Sequence, residues 1–571
     1  MKKIIYISIV FAAIAIAVAC NEEFLDLKPQ GVLSEDVLQS DDGVEALLIA
    51  AYSALDTWSG WAVGAPWESA ASNWVMGDVY SDDAYKGTDV NDQPPINPME
   101  RYEHQADNPY VWSKWAATYD AVSRTNDLLR VLGNTEDITQ DASTQILAEG
   151  RFLRAHYHFE LKKVYDNITY LDETTDVFSS NTTDIWPNIE ADLEFAVANL
   201  PNEPRNGQKG RATKYAAQAL LAKVHLFQND PAAAKSLLDA VINSGQYSLT
   251  TEYHENFRIS GDNNSESIFQ LQASVNGASF SNGNLGDILN FTHTGGPGGC
   301  CGFHQPSQNL VNVHKTTAEG FPMFDTFNNE DLKNDQGLLP TDDFEPTTDP
   351  LDPRLDWSVG RRGIPYLDWG DHNSNWVRDQ SYGGPYSPKK MVYYQAEAGT
   401  GNQVGYWGGG LSANNYSFIR YADVLLWRAE VAVSENDLNT ARTYVNMVRA
   451  RAANPDTWVM RGDTAAAANY VISEYPENHT MFTSKDNAEK AVQYERRIEL
   501  AMEGHRFFDL VRWGIAKETI DAYLEKEKTK RTYLQGANFD AYNVRHPIPR
   551  RALIRSIQGG AETLVQNEGY N

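Results

Sequence analysis

Basic residues are scarce in this chain: 48 Lys and Arg stand against 77 Asp and Glu in 571 residues, a net charge of −29. With no basic stripe anywhere, such a surface repels nucleic acid and anionic headgroups, so nucleic-acid binding is excluded and a neutral ligand is favoured over a polyanion. Cysteine is scarcer still, at three residues, which excludes a disulfide framework for a chain of this length. After residue 20 no run of about twenty apolar residues occurs, so no spanning helix is expected. There is no Gly-x-Ser-x-Gly elbow and no phosphate loop. His254-Glu-Asn-Phe-Arg258 opens like a zinc motif but has Arg where the second His belongs. Cys300, Cys301 and His304 offer at most three ligands crowded into one turn, so no metal and no other cofactor is expected. Carboxylates are plentiful, and a pair spaced for glycoside hydrolysis stays open at this stage.

Hydrophobic residues make up 42% and aromatic residues 11% of the chain, enough for a large core. Residues 1–19 stand outside that core. Met1-Lys2-Lys3 is a positive n-region, Ile4 to Ala19 is apolar, and Ala17-Val18-Ala19-Cys20 resembles a bacterial lipobox. The expectation is a cleaved signal peptide over 1–19 and an acylated Cys20 that anchors the chain to a membrane. An ordinary signal peptide that happens to contain Cys20 is the alternative. Residues 20–40 read as a tether. The two remaining cysteines, Cys300 and Cys301, are adjacent. They form either a strained vicinal disulfide, favoured by an oxidising compartment, or a pair of thiols in a buried turn.

Residues 41–571 read as a mainly α body. Amphipathic periodicity predicts helices from Asp41, over about 111–132, 142–165 and 183–200, and from an N-cap at Thr213. Asn229-Asp230-Pro231 breaks that last helix before a partner over 232–243. The same alanine-rich pairing returns at 418–433 and 438–452, and a further helix runs from Ala488 to Met502 or beyond. These pairs look like tetratricopeptide-type hairpins, which must stack because one hairpin cannot bury its own face. The expected fold is a helical scaffold of 41–244 and 416–571, interrupted by a loop-rich insert over 245–415 with short β-strands such as Ser267–Gln272 and Met391–Tyr394.

Long, aromatic-rich loops in a compact chain are usually functional. A glycan site without catalysis needs flat apolar faces for the C–H face of sugars, and Asp, Asn, Arg or His for their hydroxyls. Two regions supply both. Residues 67–86 offer Trp74, Asp83 and Tyr85. The insert offers Cys300, Cys301, His304, Trp376 and Arg378, with Tyr406 or Trp407 behind them. For any one aromatic, core packing is the competing role.

Tyr494-Glu-Arg-Arg-Ile-Glu-Leu-Ala-Met-Glu-Gly-His-Arg-Phe-Phe-Asp-Leu-Val-Arg-Trp513 resembles the C-terminal signature of the SusD/RagB family, nutrient-binding outer-membrane lipoproteins of Bacteroidetes. The acidic pair Glu22-Glu23 behind Cys20, Ala148–Ala155, Arg420–Glu430, Val448–Ala452 and Pro547-Ile-Pro549 are similar to that family too. The resemblance implies a tetratricopeptide-like fold with an inserted binding region and a SusC-type TonB-dependent barrel as partner. It also implies capture of oligosaccharide at the cell surface without catalysis. A surface glycoside hydrolase and a structural surface lipoprotein are the alternatives. The charged residues of the signature, from Glu495 to Arg506, are spaced for i,i+3 and i,i+4 pairing within one helix, and their expected role is structural.

Overall fold

Helices α1 (Asp41–Ser53), α2 (Pro109–Gly133), α3 (Gln140–Tyr165), α4 (Trp186–Asn199), α5 (Lys214–Phe227) and α6 (Pro231–Asn243) follow one another along the N-terminal part of the chain. A short α7 (Gln308–Val313) lies in the insert. Then come α8 (Tyr421–Ser434), α9 (Leu438–Ala452), α10 (Lys485–Glu499), α11 (Arg506–Arg512) and α12 (Ala516–Glu527). This computed structural model describes residues 38–275, 282–401, 409–462 and 464–570. The expected signal peptide, Cys20 and its acylation, most of the tether, and Tyr406 and Trp407 lie outside the described residues.

The helix starts have local causes. Thr139, Thr213, Asp230, Asp437 and Ser484 each accept a hydrogen bond from the backbone N–H three residues on, and Pro109 and Pro231 occupy first-turn positions where no amide is needed. Alanines 216, 217, 219 and 222 of α5 are fully buried, and their small side chains let neighbouring helices approach closely. Each helix packs on the next in the series α1, α2, α3, α4, α5, α6, α8, α9, α10. Since α6 seats directly on α8, the long insert leaves the stack and rejoins it without interrupting it.

The strands are short: β1 (Ala84–Gly87), β2 (Ser267–Leu271), β3 (Phe303–Pro306), β4 (Val359–Gly360), β5 (Ser387–Pro388) and β6 (Tyr416–Arg420). β2 pairs antiparallel with β6, β1 with β3, and β4 with β5. Two expectations are corrected here. Residues 418–420 are strand, not helix: Phe418 stacks on Phe269 across the β2–β6 ladder with centroids 5.2 Å apart, and α8 begins only at Tyr421. Met391–Tyr394 is not a strand. Its carbonyls are taken by side chains instead, Met391 O by Asn414 Nδ2 at 2.7 Å and Tyr393 O by Trp369 Nε1 at 3.0 Å.

The charges of the α10 signature do not pair within their helix. Glu499 accepts from Arg354 at 3.0 Å, Arg420 at 2.6 Å and Arg451, while Glu495 meets Arg354 at 2.7 Å and Arg449 at 2.9 Å. Glu503 binds Lys390 at 2.6 Å and Arg420 at 2.9 Å, and Glu266, just before β2, binds Arg451. All these groups are buried. Burial alone would raise the Glu499 carboxyl, but Arg451, Arg420 and Arg354 outweigh it and hold it well below its ordinary range. The network therefore fastens the insert, through Arg354, Lys390 and Glu266, to Arg420 of β6, to α9, and to α10 with the turn that follows it.

Eight of the chain's histidines are buried with depressed pKa values, among them His104, His156, His158 and His372, each pushed by burial from 6.5 to about 3, and His314 to about 4. The folded protein refuses protons that the unfolded chain accepts below pH 6.5, so stability present above that pH is lost as pH falls toward 4. Carboxyls raised by burial act in the opposite sense, Asp56 and Asp262 to about 7 and Asp83 to about 6, and offset part of that loss. The thermal midpoint is expected to fall by several degrees between pH 7.5 and 5; a flat or rising midpoint would contradict the burial of these imidazoles.

Candidate functional site

The β1–β3 ladder carries the site. Ala84 pairs with Pro306, Tyr85 with Gln305 and Gly87 with Phe303. The underside of this ladder corrects the sequence reading. Trp74 is fully buried and packs against Phe303 and His304, with ring centroids 6.0 and 5.8 Å away. Asp83 is buried in an ion pair with Arg497 at 2.8 Å. Tyr85 is buried too: its hydroxyl donates to Glu527 and accepts from the Gln308 amide. His304, also buried, lies 3.0 Å from the Asp78 carboxylate, which in turn accepts from the Gly504 amide at 2.8 Å. These four side chains face the frame, not solvent. Their aromatic and charged character serves a pedestal that bolts the ladder to α10, α12 and the turn before α11.

Three loops spread from the top of this pedestal. Residues 88–92 follow β1, residues 293–302 precede β3, and residues 373–378 cross between them. They are joined by backbone: Thr88 N–H donates to Gly302 O at 2.7 Å, His293 N–H to Trp376 O at 2.9 Å and Gly299 N–H to His293 O at 3.0 Å. Arg378 donates to Thr88 Oγ1 at 2.9 Å and makes ion pairs with Asp89 and Asp92, both at 2.7 Å. Lys86 secures the 88–92 loop from below, its ammonium donating to Asp89 O, Asp92 O and Asn97 Oδ1. Burial pushes the Lys86 pKa down to about 8.

Trp376 is half-buried, its indole edge-on to Tyr366 and His372 at 5.5 and 5.3 Å. Gly295 lies against it so closely that a Cβ there would sit 2.1 Å from the indole, and its φ is +64°. Only glycine fits that contact. Cys300 and Cys301 are bonded to one another, with Cα atoms 3.7 Å apart. Cys301 is buried at the ladder, so only the Cys300 half reaches the surface. Cys301 at φ 84° and His304 at φ 54° are in the left-handed region, which residues with a Cβ seldom adopt. Beside them His293 is half-exposed, its pKa lowered by partial burial and by the Arg378 cation.

Of the residues named from sequence, Cys300, Trp376 and Arg378 thus share one surface, while Trp74, Asp83, Tyr85, Cys301 and His304 lie beneath it. Sequence reasoning missed His293, Asp89 and Asp92. The turn signal of Asp89-Val-Asn-Asp92 marks a loop but not its partner, Arg378. The patch offers a half-buried indole and a polarisable sulfur, ringed by an imidazole, a guanidinium and two carboxylates. Asp89 and Asp92 share one guanidinium, that of Arg378.

Comparison with known proteins places these features. The profile of the SusD family matches residues 265–570, and that described as starch-binding, associating with the outer membrane, matches residues 23–226. SusD-like protein P25 of Formosa agariphila is 24% identical over 590 aligned residues, covering 96% of each chain. A laminarin-binding SusD-like protein superposes with a TM-score of 0.66 at 22% identity, over 93% of this chain and 100% of the other. Surface glycan-binding protein A of Bacteroides thetaiotaomicron, solved with laminarihexaose, gives a TM-score of 0.68 at 20% identity, over 92% and 99%. These likenesses extend over the helical stack and the insert alike, and make the fold that of the SusD-like structures.

Proposed function

The chain belongs to the SusD family, and from that premise we propose that it is a lipid-anchored, non-catalytic receptor of the outer membrane. It takes up a neutral oligosaccharide on the surface patch and passes it to a SusC-type TonB-dependent barrel. The observation that carries this reading is the half-exposed Trp376 beside Cys300, framed by His293 and the Arg378–Asp89–Asp92 cluster. An indole and a disulfide sulfur accept the apolar face of a pyranose, and the charged groups bond its hydroxyls. Two carboxylates neutralise the one guanidinium, and the chain as a whole is at −29, so acidic sugars are disfavoured. Acylation at Cys20 would hold the receptor at the membrane. The laminarin-binding and laminarihexaose-bound neighbours support a glycan as the ligand class.

The test is affinity electrophoresis of the full-length chain in detergent through gels containing laminarin, starch, xylan or mannan, followed by calorimetry with a hexasaccharide of the retained glycan. Trp376→Ala, and Cys300→Ser combined with Cys301→Ser, are each expected to weaken binding about tenfold, the loss of one good stacking contact, with the thermal midpoint little changed. Retention in no gel would dispose of the glycan reading; unchanged affinity in both variants would dispose of the patch. Release of reducing ends from the retained glycan would show an enzyme instead.

A further inference from the structure

The Cys300–Cys301 bond sits where the three loops of the patch are joined. On one side Gly302 O accepts from Thr88 N–H at 2.7 Å, which ties it to the 88–92 loop and so to Asp89, Asp92 and their partner Arg378. On the other side Gly299 N–H donates to His293 O at 3.0 Å, and His293 N–H to Trp376 O at 2.9 Å. The two sulfurs therefore lie between the charged half of the patch and its indole half.

The backbone at this joint depends on the bond. Cα atoms 3.7 Å apart fall below the usual disulfide span of about 4.4–6.8 Å, so the small ring closed by the bond constrains the main chain through both residues. Cys301 has φ +84° and Gly302 φ +78°. Glycine adopts such angles freely, but a residue with a Cβ keeps them only where its surroundings hold it there. With the bond cut, Cys301 is free to relax toward negative φ, which swings the following peptide and carries Gly302 O away from the Thr88 amide.

The bond is also reachable. Cys301 is 3% exposed and Cys300 is half-buried, so an outside thiolate has one sulfur to attack, that of Cys300. Attack there forms a mixed disulfide and expels Cys301 as the thiolate. A second thiol then attacks the reagent's sulfur and releases Cys300. Two outside thiols become one disulfide, the protein's disulfide takes up their two electrons, and the two thiol protons end on Cys300 and Cys301. Because the residues are neighbours in the chain, the freed sulfurs stay close, and the reverse exchange closes the bond again. Constrained and exposed disulfides are the ones that open in this way.

We propose that the Cys300–Cys301 bond is a reversible redox switch on the patch, opened by small thiols, so that the oxidised chain holds glycan and the reduced chain holds it more weakly; this rests on the glycan reading given above. Opening replaces the disulfide surface with two thiols and unties the loop that sets Asp89 and Asp92 around Arg378.

The experiment equilibrates the full-length chain in detergent with dithiothreitol and its cyclic disulfide in graded ratios. Alkylation and mass spectrometry of the peptide containing residues 300 and 301 give the reduced fraction. Hydrogen exchange follows the Thr88 and Gly299 amides, and calorimetry measures affinity for a hexasaccharide of the retained glycan. The bond is expected to open while the protein stays folded, with faster exchange at both amides and an affinity lower by about tenfold, all restored on reoxidation. Cys300→Ser combined with Cys301→Ser is expected to give no response to dithiothreitol. A bond that stays closed in the folded chain under excess dithiothreitol overturns the switch. So does a reduced chain with the affinity of the oxidised one, or a double variant that responds to the reagent as the unaltered chain does. Retention of the oxidised chain in no gel overturns the glycan reading instead; faster Thr88 exchange on reduction then still upholds the opening of the loops, and unchanged exchange refutes it.

Discussion

Exchanging Glu499 for glutamine is expected to destabilise the protein by about 3–5 kcal/mol, the typical cost of breaking a buried ion pair by neutralising one partner. The carboxylate takes hydrogen bonds from Arg354, Arg420 and Arg451, and all four side chains are buried. Glutamine keeps the shape and one acceptor oxygen but leaves the three guanidiniums with less negative charge than they need. Urea unfolding monitored by circular dichroism measures the loss; a change under about 1 kcal/mol would mean that water or neighbouring acids compensate. The pH dependence carries the same sign. The depressed Glu499 carboxyl contributes stability that is in place above its ordinary value of 4.5 and is lost as pH falls below it. The variant should lack that part of the acid transition. Because the network ties Arg354 and Lys390 of the insert to the helices, its loss is also expected to loosen the insert first, visible as early exchange of insert amides.

Gly504→Ala is expected to be of similar severity, at least about 3 kcal/mol. Gly504 has φ +74°, and a Cβ built on it would lie 1.7 Å from the Ser72 carbonyl oxygen. Adopting that backbone costs an alanine about 1–3 kcal/mol, and overlap with main chain adds about as much again, because no side chain can swing away. The same crossing point faces Gly77, whose own Cβ would meet Gly504 O at 2.0 Å. Displacement there would be felt by the Gly504–Asp78–His304 relay under the ladder. The folded fraction should therefore also bind the proposed glycan ligand more weakly. Chemical denaturation and calorimetry on one preparation check both, and a variant as stable as the parent would show that the backbone crossing can open.

How much of this was legible beforehand follows from where the deciding contacts lie. Helix boundaries were readable because their causes are local: Thr213 caps an amide three residues away, and Asp230-Pro231 ends one helix while starting another. The family resemblance at Tyr494–Trp513 pointed to the right fold. The site was only partly readable. A stretch mixing Trp, Tyr and Asp looks the same whether it meets sugar or core, and what settles it is distant in sequence. Asp83 is claimed by Arg497 and Tyr85 by Glu527, each more than four hundred residues on. Likewise Phe418 read as the start of a helix because its partner strand, β2, is remote. Trp376 and Arg378 reach the surface because they sit in a turn with little local core to enter, and Asp89 and Asp92 carried no signal of their own because their pairing depends on Arg378.

The direct seating of α6 on α8 has a consequence for how such proteins diversify. Whatever residues run between those two helices, their joint closes the same way, so the intervening cassette is free to be replaced as a block. A transplanted cassette must bring the strands that complete the β1–β3 and β2–β6 ladders, and Glu266, Arg354 and Lys390 for the charged sockets of the frame. New ligand preferences can then be acquired by exchange of whole inserts, with no need to redesign the body that carries them.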